Sequence, residues 1–143
     1  MPFVSVTRLR IRRWHFLPAF FLQTFQTGRQ VRSAPGFRTG ALLPDRRWTF
    51  WTLTIWDSAE AMRAYITTGS HRVAMPKLMY WCDEASIVHW EQDDLTMPSW
   101  AEADARMRVE GRPSKLRNPT PEHLAMNYDP PKPGNGAPIT RGN

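Results

Sequence analysis

The chain has 143 residues, 41% hydrophobic and 12% aromatic, enough for one packed domain. Its single cysteine, Cys82, excludes an internal disulfide framework and a cysteine-rich zinc site, and reads as a small apolar packing residue in a reducing, cytoplasmic setting. The net charge of +6 gathers at the front, where Arg8, Arg10, Arg12, Arg13, Arg29, Arg32 and Arg38 precede the first acid, Asp45.

An acid-free, arginine-rich start is also how an organelle transit peptide looks, but Phe3 to Arg13 alternates as a strand does. Phe3, Ser5, Thr7, Leu9 and Ile11 share one side, and Val4, Val6, Arg8, Arg10 and Arg12 the other. The apolar run Phe16 to Leu22 is far short of the roughly 20 residues that a spanning helix needs, so no membrane span is expected. Pro18 suits a first helical turn, and Phe21, Phe25, Gly28 and Val31 or Arg32 follow at helical spacing, predicting a helix from about Leu17 to Ser33. Phe37 to Leu43 reads as a strand entering a turn at Pro44-Asp45. Trp48 to Trp56 is the strongest strand, with Trp48, Phe50 and Trp56 on one side and Trp51, Leu53 and Ile55 on the other. Both faces are apolar, so both must be covered.

Asp57-Ser58-Ala59-Glu60 caps a second helix with Met62, Tyr65 and Ile66 on its stripe, and Gly69-Ser70 breaks it. A further helical piece starts near His71, with a kink or restart expected at Pro76. Ser86 to Glu91 is the last strand.

The order β, α, β, β, α, β predicts an α+β, ferredoxin-like domain over residues 1–97. Its two helices cover one face of the sheet, and a second copy of the chain is the expected cover for the other, giving a homodimer paired sheet to sheet. Residues 98–111 read as a C-terminal helix, with Ser99 and Glu102 as a capping box and Gly111 as its stop. Residues 112–143, rich in proline, read as a disordered tail.

Residues 3–91 resemble the antibiotic-biosynthesis-monooxygenase-like superfamily of dimeric α+β barrels. The resemblance lies in the element order and in Trp56-Asp57-Ser58-Ala59-Glu60-Ala61-Met62, similar to that family's join between third strand and second helix. Ser70-His71-Arg72 and the Trp81 to Trp90 stretch are similar to small uncharacterised relatives near spheroidene monooxygenase. The resemblance implies a small monooxygenase-like protein that oxidises a hydrophobic aromatic or polyene substrate, either without a cofactor or with haem. A non-catalytic ligand-binding or interaction protein of the same fold is the alternative. In the haem-degrading members the iron ligand lies on the second helix, and an ungapped register from Trp56 puts Met75, not His71, at that position.

His71 is the candidate catalytic group: facing the sheet, its neutral imidazole would take a proton from a phenolic substrate or bind haem iron. The competing reading is a surface or interface histidine at a helix start. Trp51, Trp56, Tyr65 and Met75 are the candidate ligand-binding walls, and a strand of tryptophans also serves as plain core. Arg38, Arg46 and Arg47 either steer an anionic ligand or sit in a solvated turn. No zinc, nucleotide or hydrolase motif is present in the sequence. Arginine interleaved with aromatics in RLRIRRWHF permits nucleic-acid binding, but belongs to no recognised module.

Overall fold

The computed structural model describes residues 1–142. Strand β1 (Phe3–Ile11) keeps the two-residue period, with Val4 and Val6 in one buried cluster and Phe3, Leu9 and Ile11 in clusters on the opposite face. A single 3-10 turn, Trp14–Phe16, leads into α1 (Leu17–Arg32), with Pro18 in its first turn. There follow β2 (Phe37–Asp45), β3 (Thr49–Trp56), α2 (Ala59–Ile66), α3 (Gly69–Trp81) and β4 (Cys82–Glu91). The four strands stand in the antiparallel order β4-β1-β3-β2. This is the ferredoxin-like arrangement that the element order predicts, with its second helix in two pieces.

Local chemistry sets the joins. The Ser58 hydroxyl accepts from the Ala61 amide at 3.1 Å and starts α2. Gly36, at φ +84°, lies where a Cβ would come within 2.6 Å of the Ala61 Cβ, so the turn into β2 has room for no side chain. The α3 helix continues through Pro76, where the sequence predicts a kink or restart. It passes directly into β4, which begins at Cys82, four residues before the expected start. Buried Glu84 hides that beginning, because a charged residue at an inward position does not read as strand core.

The inward face of α1 is the predicted one only at its end, where Val31 is buried. Phe20, Gln23 and Val31 point to the sheet, and Phe21 and Phe25 are exposed. Phe20 packs on Phe50 with ring centroids 4.8 Å apart, and the Gln23 side chain donates to the Ser70 carbonyl at 3.1 Å. A helix with phenylalanines on two sides gives the periodicity two solutions, and these contacts select one.

The second face of the sheet departs most from expectation. Val4, Val6, Trp51, Leu53, Ile55, Val88 and Trp90 form one cluster there, and the chain covers it by itself. The last helix, α4 (Trp100–Glu110), docks Trp100, Ala103 and Met107 onto it, with Ser99 capping as predicted. Residues 112–142, expected to be a disordered tail, form a strap across the rest. Short strands β5 (Arg112–Pro113) and β6 (Ala137–Thr140) extend the two edges of the sheet beside β4 and β2. Between them Tyr128 meets Trp51 edge-on at 5.9 Å. His123 accepts at Nδ1 from the Ala85 amide and lies 2.7 Å from the Ser114 carbonyl at Nε2. The Thr120 amide donates to the Asp83 carbonyl at 3.0 Å, and the Gly142 amide to the Arg32 carbonyl at 2.8 Å. Proline prevents this segment from building its own ladder, but not from lying on an existing one.

The sheet-to-sheet homodimer read from the sequence therefore lacks its stated ground, because the face assigned to a second copy is already occupied. Removing residues 98–143 would uncover Trp51, Leu53 and Ile55, each worth about 1.5–3 kcal/mol of burial. The truncated chain is expected to self-associate or aggregate where the full chain does not, as read by light scattering after size-exclusion chromatography. Equal masses per chain for the two forms would show that α4 and the strap contribute little cover.

Candidate functional site

The break between α2 and α3 places His71. Gly69 adopts φ +57°, and Gln30 of α1 brackets the turn, accepting from the His71 amide at 2.8 Å and donating to the Thr68 and Tyr65 carbonyls at 2.8 and 3.1 Å. The imidazole turns inward and meets Tyr65 edge-on at 4.9 Å, and Tyr65 lies tilted on Trp56 at 5.2 Å. The Tyr65 hydroxyl donates to the Thr27 carbonyl at 3.3 Å. Three of the predicted site residues, Trp56, Tyr65 and His71, thus form one stack under the helices. Burial lowers the His71 pKa, opposed in part by the backbone of Ile66 and of His71 itself. Burial also raises the Tyr65 phenol, so both groups stay neutral at pH 7. The His71 Nδ1 is buried without a hydrogen bond of proper geometry.

The other two predicted wall residues lie elsewhere. Trp51 is on the opposite face of the sheet, where its indole N–H donates to Asp45 at 3.2 Å. Met75, on α3, is exposed. The alternation of β3 separates Trp51 from Trp56, so the two tryptophans cannot line one pocket. Haem fails a fit test here: the ring stack occupies the ground beside the imidazole, and the Met75 thioether is on the outer surface. Cys82 is buried, and burial with the Asp83 charge pushes its thiol up to about 12, which suits packing and not nucleophilic attack.

A cavity of about 310 Å³ opens instead between the sheet and the strap, bordered by the β2–β3 hairpin and by residues 127–130, and it does not touch His71. Its wall includes Arg8, which pairs with Glu84 at 2.9 Å while its Nε is buried without a partner. The Tyr128 ring lies 4.1 Å from the Arg8 guanidinium and 4.2 Å from that of Arg108. Burial, with the neighbouring Asp104 carboxylate, raises the Tyr128 phenol. Glu84 is satisfied by Arg8, by Arg10 and by the Thr120 hydroxyl. Asp45 accepts from the Arg46 and Lys132 amides and from Trp51. Arg47, Glu122 and Asp129, also on the wall, form no ion pair among the described residues.

Of the arginines read as steering groups, Arg46 and Arg47 reach this cleft, whereas Arg38 pairs with Asp57 outside it. Sequence reasoning missed Arg8 and Tyr128. The available signal was an arginine sharing a strand face with Val4 and Val6; nothing in the proline-rich stretch marks Tyr128.

A family model described as Domain of unknown function (DUF3291) matches residues 22–127. No curated protein matches the sequence. Among solved structures, the fold is similar to an antibiotic biosynthesis monooxygenase at TM-score 0.57, with 12% identity over 64% of this chain and 99% of the other. Rv0793 from Mycobacterium tuberculosis gives TM-score 0.57, with 13% identity over 68% of this chain and 100% of that one. A variant of SnoaB, described as a cofactor-independent oxygenase from Streptomyces nogalater, gives 0.52, with 17% identity over 68% and 98%. Identities this low establish the shared monooxygenase-type fold and nothing about the reaction.

The buried imidazole has a measurable consequence. Its pKa in the folded chain lies below the usual 6.5, so as pH falls through that value the unfolded chain binds more protons than the folded one and stability is lost. His89, lowered by burial and by the charges of Arg112 and Arg63, acts in the same direction. Urea unfolding is expected to give a smaller free energy at pH 5.5 than at 7.5, with the difference reduced in His71→Phe. A difference unchanged by that substitution would remove His71 as a source.

Proposed function

From the premise that the chain belongs to the DUF3291 family, whose description assigns no activity, we propose that it is a ligand-binding protein on a monooxygenase-type fold, with its site in the cleft between sheet and strap. The ligand is a small polar molecule carrying both signs of charge. Its anionic group faces Arg46 and Arg47, and its cationic group faces Glu122 and Asp129. The observation that carries this reading is the cleft itself, whose wall brings Arg46 and Arg47 together with Glu122 and Asp129. The volume suits a molecule of amino-acid size, near the lower end of the usual ligand-pocket range.

Calorimetric titration with the free amino acids, and with matching carboxylates that lack the amine, tests the reading. Saturable binding of at least one amino acid is expected, weakened roughly tenfold or more in Arg47→Ala, since a charge-assisted hydrogen bond is worth about 1.5–3 kcal/mol. No saturable binding in the panel, or binding unchanged by Arg47→Ala and Arg46→Ala alike, would sink it.

Cofactor-free oxidation of a hydrophobic aromatic or polyene substrate is the second reading, and one observation favours it: the neutral His71 imidazole, whose Nδ1 makes no hydrogen bond of proper geometry, lies against the partly buried Tyr65 ring. Such a base would accept a proton from an electron-rich substrate if the helices parted to admit one. Haem-assisted oxidation has no such support. Hemin titration is accordingly expected to give no stoichiometric Soret shift that His71→Ala abolishes. A shift lost in that variant would restore the haem reading.

A further inference from the structure

We infer that the corner where β1 ends, α1 begins and α3 ends is a docking surface for an anionic lipid bilayer. This surface is separate from the cleft and does not depend on the ligand proposed for it.

The apolar part is exposed where a water-facing helix would be polar. Leu22 and Phe25 stand on the side of α1 opposite its buried residues, Phe21 is half exposed on its flank, and Trp14, Trp48 and Tyr80 are exposed around its start. Contacts hold Phe21, Tyr80 and Trp48 near the start of α1, and Leu22 and Phe25 follow Phe21 within about a turn of the same helix. Phe21 meets Phe50 edge-on at 5.9 Å, and Phe16 meets Tyr80 at 5.4 Å. The Ile11 amide donates to the Trp48 carbonyl at 3.0 Å. Exposed apolar side chains gathered in this way mark an interaction surface.

Charge chooses the partner. The helices α1 and α3 contain no acidic residue, nor does the turn at Trp14–Phe16. Of the seven arginines before Asp45, three are neutralised by Glu84, Asp83 and Asp57, while Arg12, Arg13, Arg29 and Arg32 form no ion pair among the described residues. Two of the four sit against the exposed rings: the Arg12 guanidinium lies 4.7 Å from the Tyr80 ring centroid, and Arg29 lies 5.9 Å from that of Phe25. The acids nearest in sequence are turned away from solvent: the Asp45 side chain is buried, and that of Asp83, largely buried, pairs with Arg10. Tryptophan, phenylalanine and leucine to enter the acyl boundary, with arginines to meet phosphate, is the composition of an interfacial membrane surface. A second copy at this corner would bring unpaired arginines against their own images. A nucleic acid would satisfy the arginines but leave Leu22 and Phe25 no apolar partner.

Co-flotation of the full chain with phosphatidylcholine vesicles, with and without about one third phosphatidylserine, tests the inference. Binding is expected to be roughly tenfold or more tighter with the anionic lipid, and to weaken at 0.5 M salt. Both Leu22→Ser/Phe25→Ser and Arg13→Glu/Arg29→Glu should lose most of it with an unchanged thermal midpoint, since these side chains are exposed. The inference is overturned if the wild-type chain does not float, or if it floats equally with neutral lipid. It is also overturned if the variants bind as well as the wild type, if the same substitutions abolish self-association in place of flotation, or if the chain shifts duplex DNA and leaves vesicles alone.

Discussion

The structure depends on one strand that is apolar on both sides. β3 places Trp51, Leu53 and Ile55 on one face and Phe50 and Trp56 on the other, and all five are buried. A strand of that kind is stable only at the centre of two layers, and here it pairs with β1 on one side and β2 on the other. The helices α1, α2 and α3 form one layer. The helix α4 and the strap form the second, so a single chain encloses the sheet that its sequence would otherwise leave half open.

The price of that enclosure is polar. The second face carries Arg8 on β1 and Glu84 on β4, and covering it takes both charges out of water. A buried pair of this sort adds little net stability, but its partners must be kept satisfied. Thr120 from the strap and the ring of Tyr128 supply part of what water would have given. The Nε of Arg8 is left over, and the strap stands off the sheet at that end as the cleft. Charged side chains are concentrated there because packing was least able to exclude them. On the helix side no charge enters the stack of Trp56, Tyr65 and His71, and the imidazole lies in a packed layer.

Legibility follows the range of the forces involved. The strands apart from the start of β4, the Ser58 and Ser99 caps and the order βαββαβ are set by residues within a few positions of one another, and they read correctly. The inner face of α1 did not, since Phe20 and Phe21 compete for it and the choice rests on Phe50 and Ser70, both distant in sequence. Two of the five candidate site residues fall away for related reasons. Trp51 is on the wrong side of an alternating strand for a pocket with Trp56, and Met75 is turned outward by the phase of α3.

The sequence by itself determined the domain's element order, its aromatic centre and the uneven placement of its charge, because composition, period and capping act locally. Only the tertiary structure decided where the proline-rich end goes, that it occupies the face expected to bind a second copy, and that Arg8 and Tyr128 meet beside a cleft. Those outcomes join residues tens of positions apart, and for Arg8 and Tyr128 more than a hundred, whose contacts have no period and no spacing to be read until the chain has closed on itself.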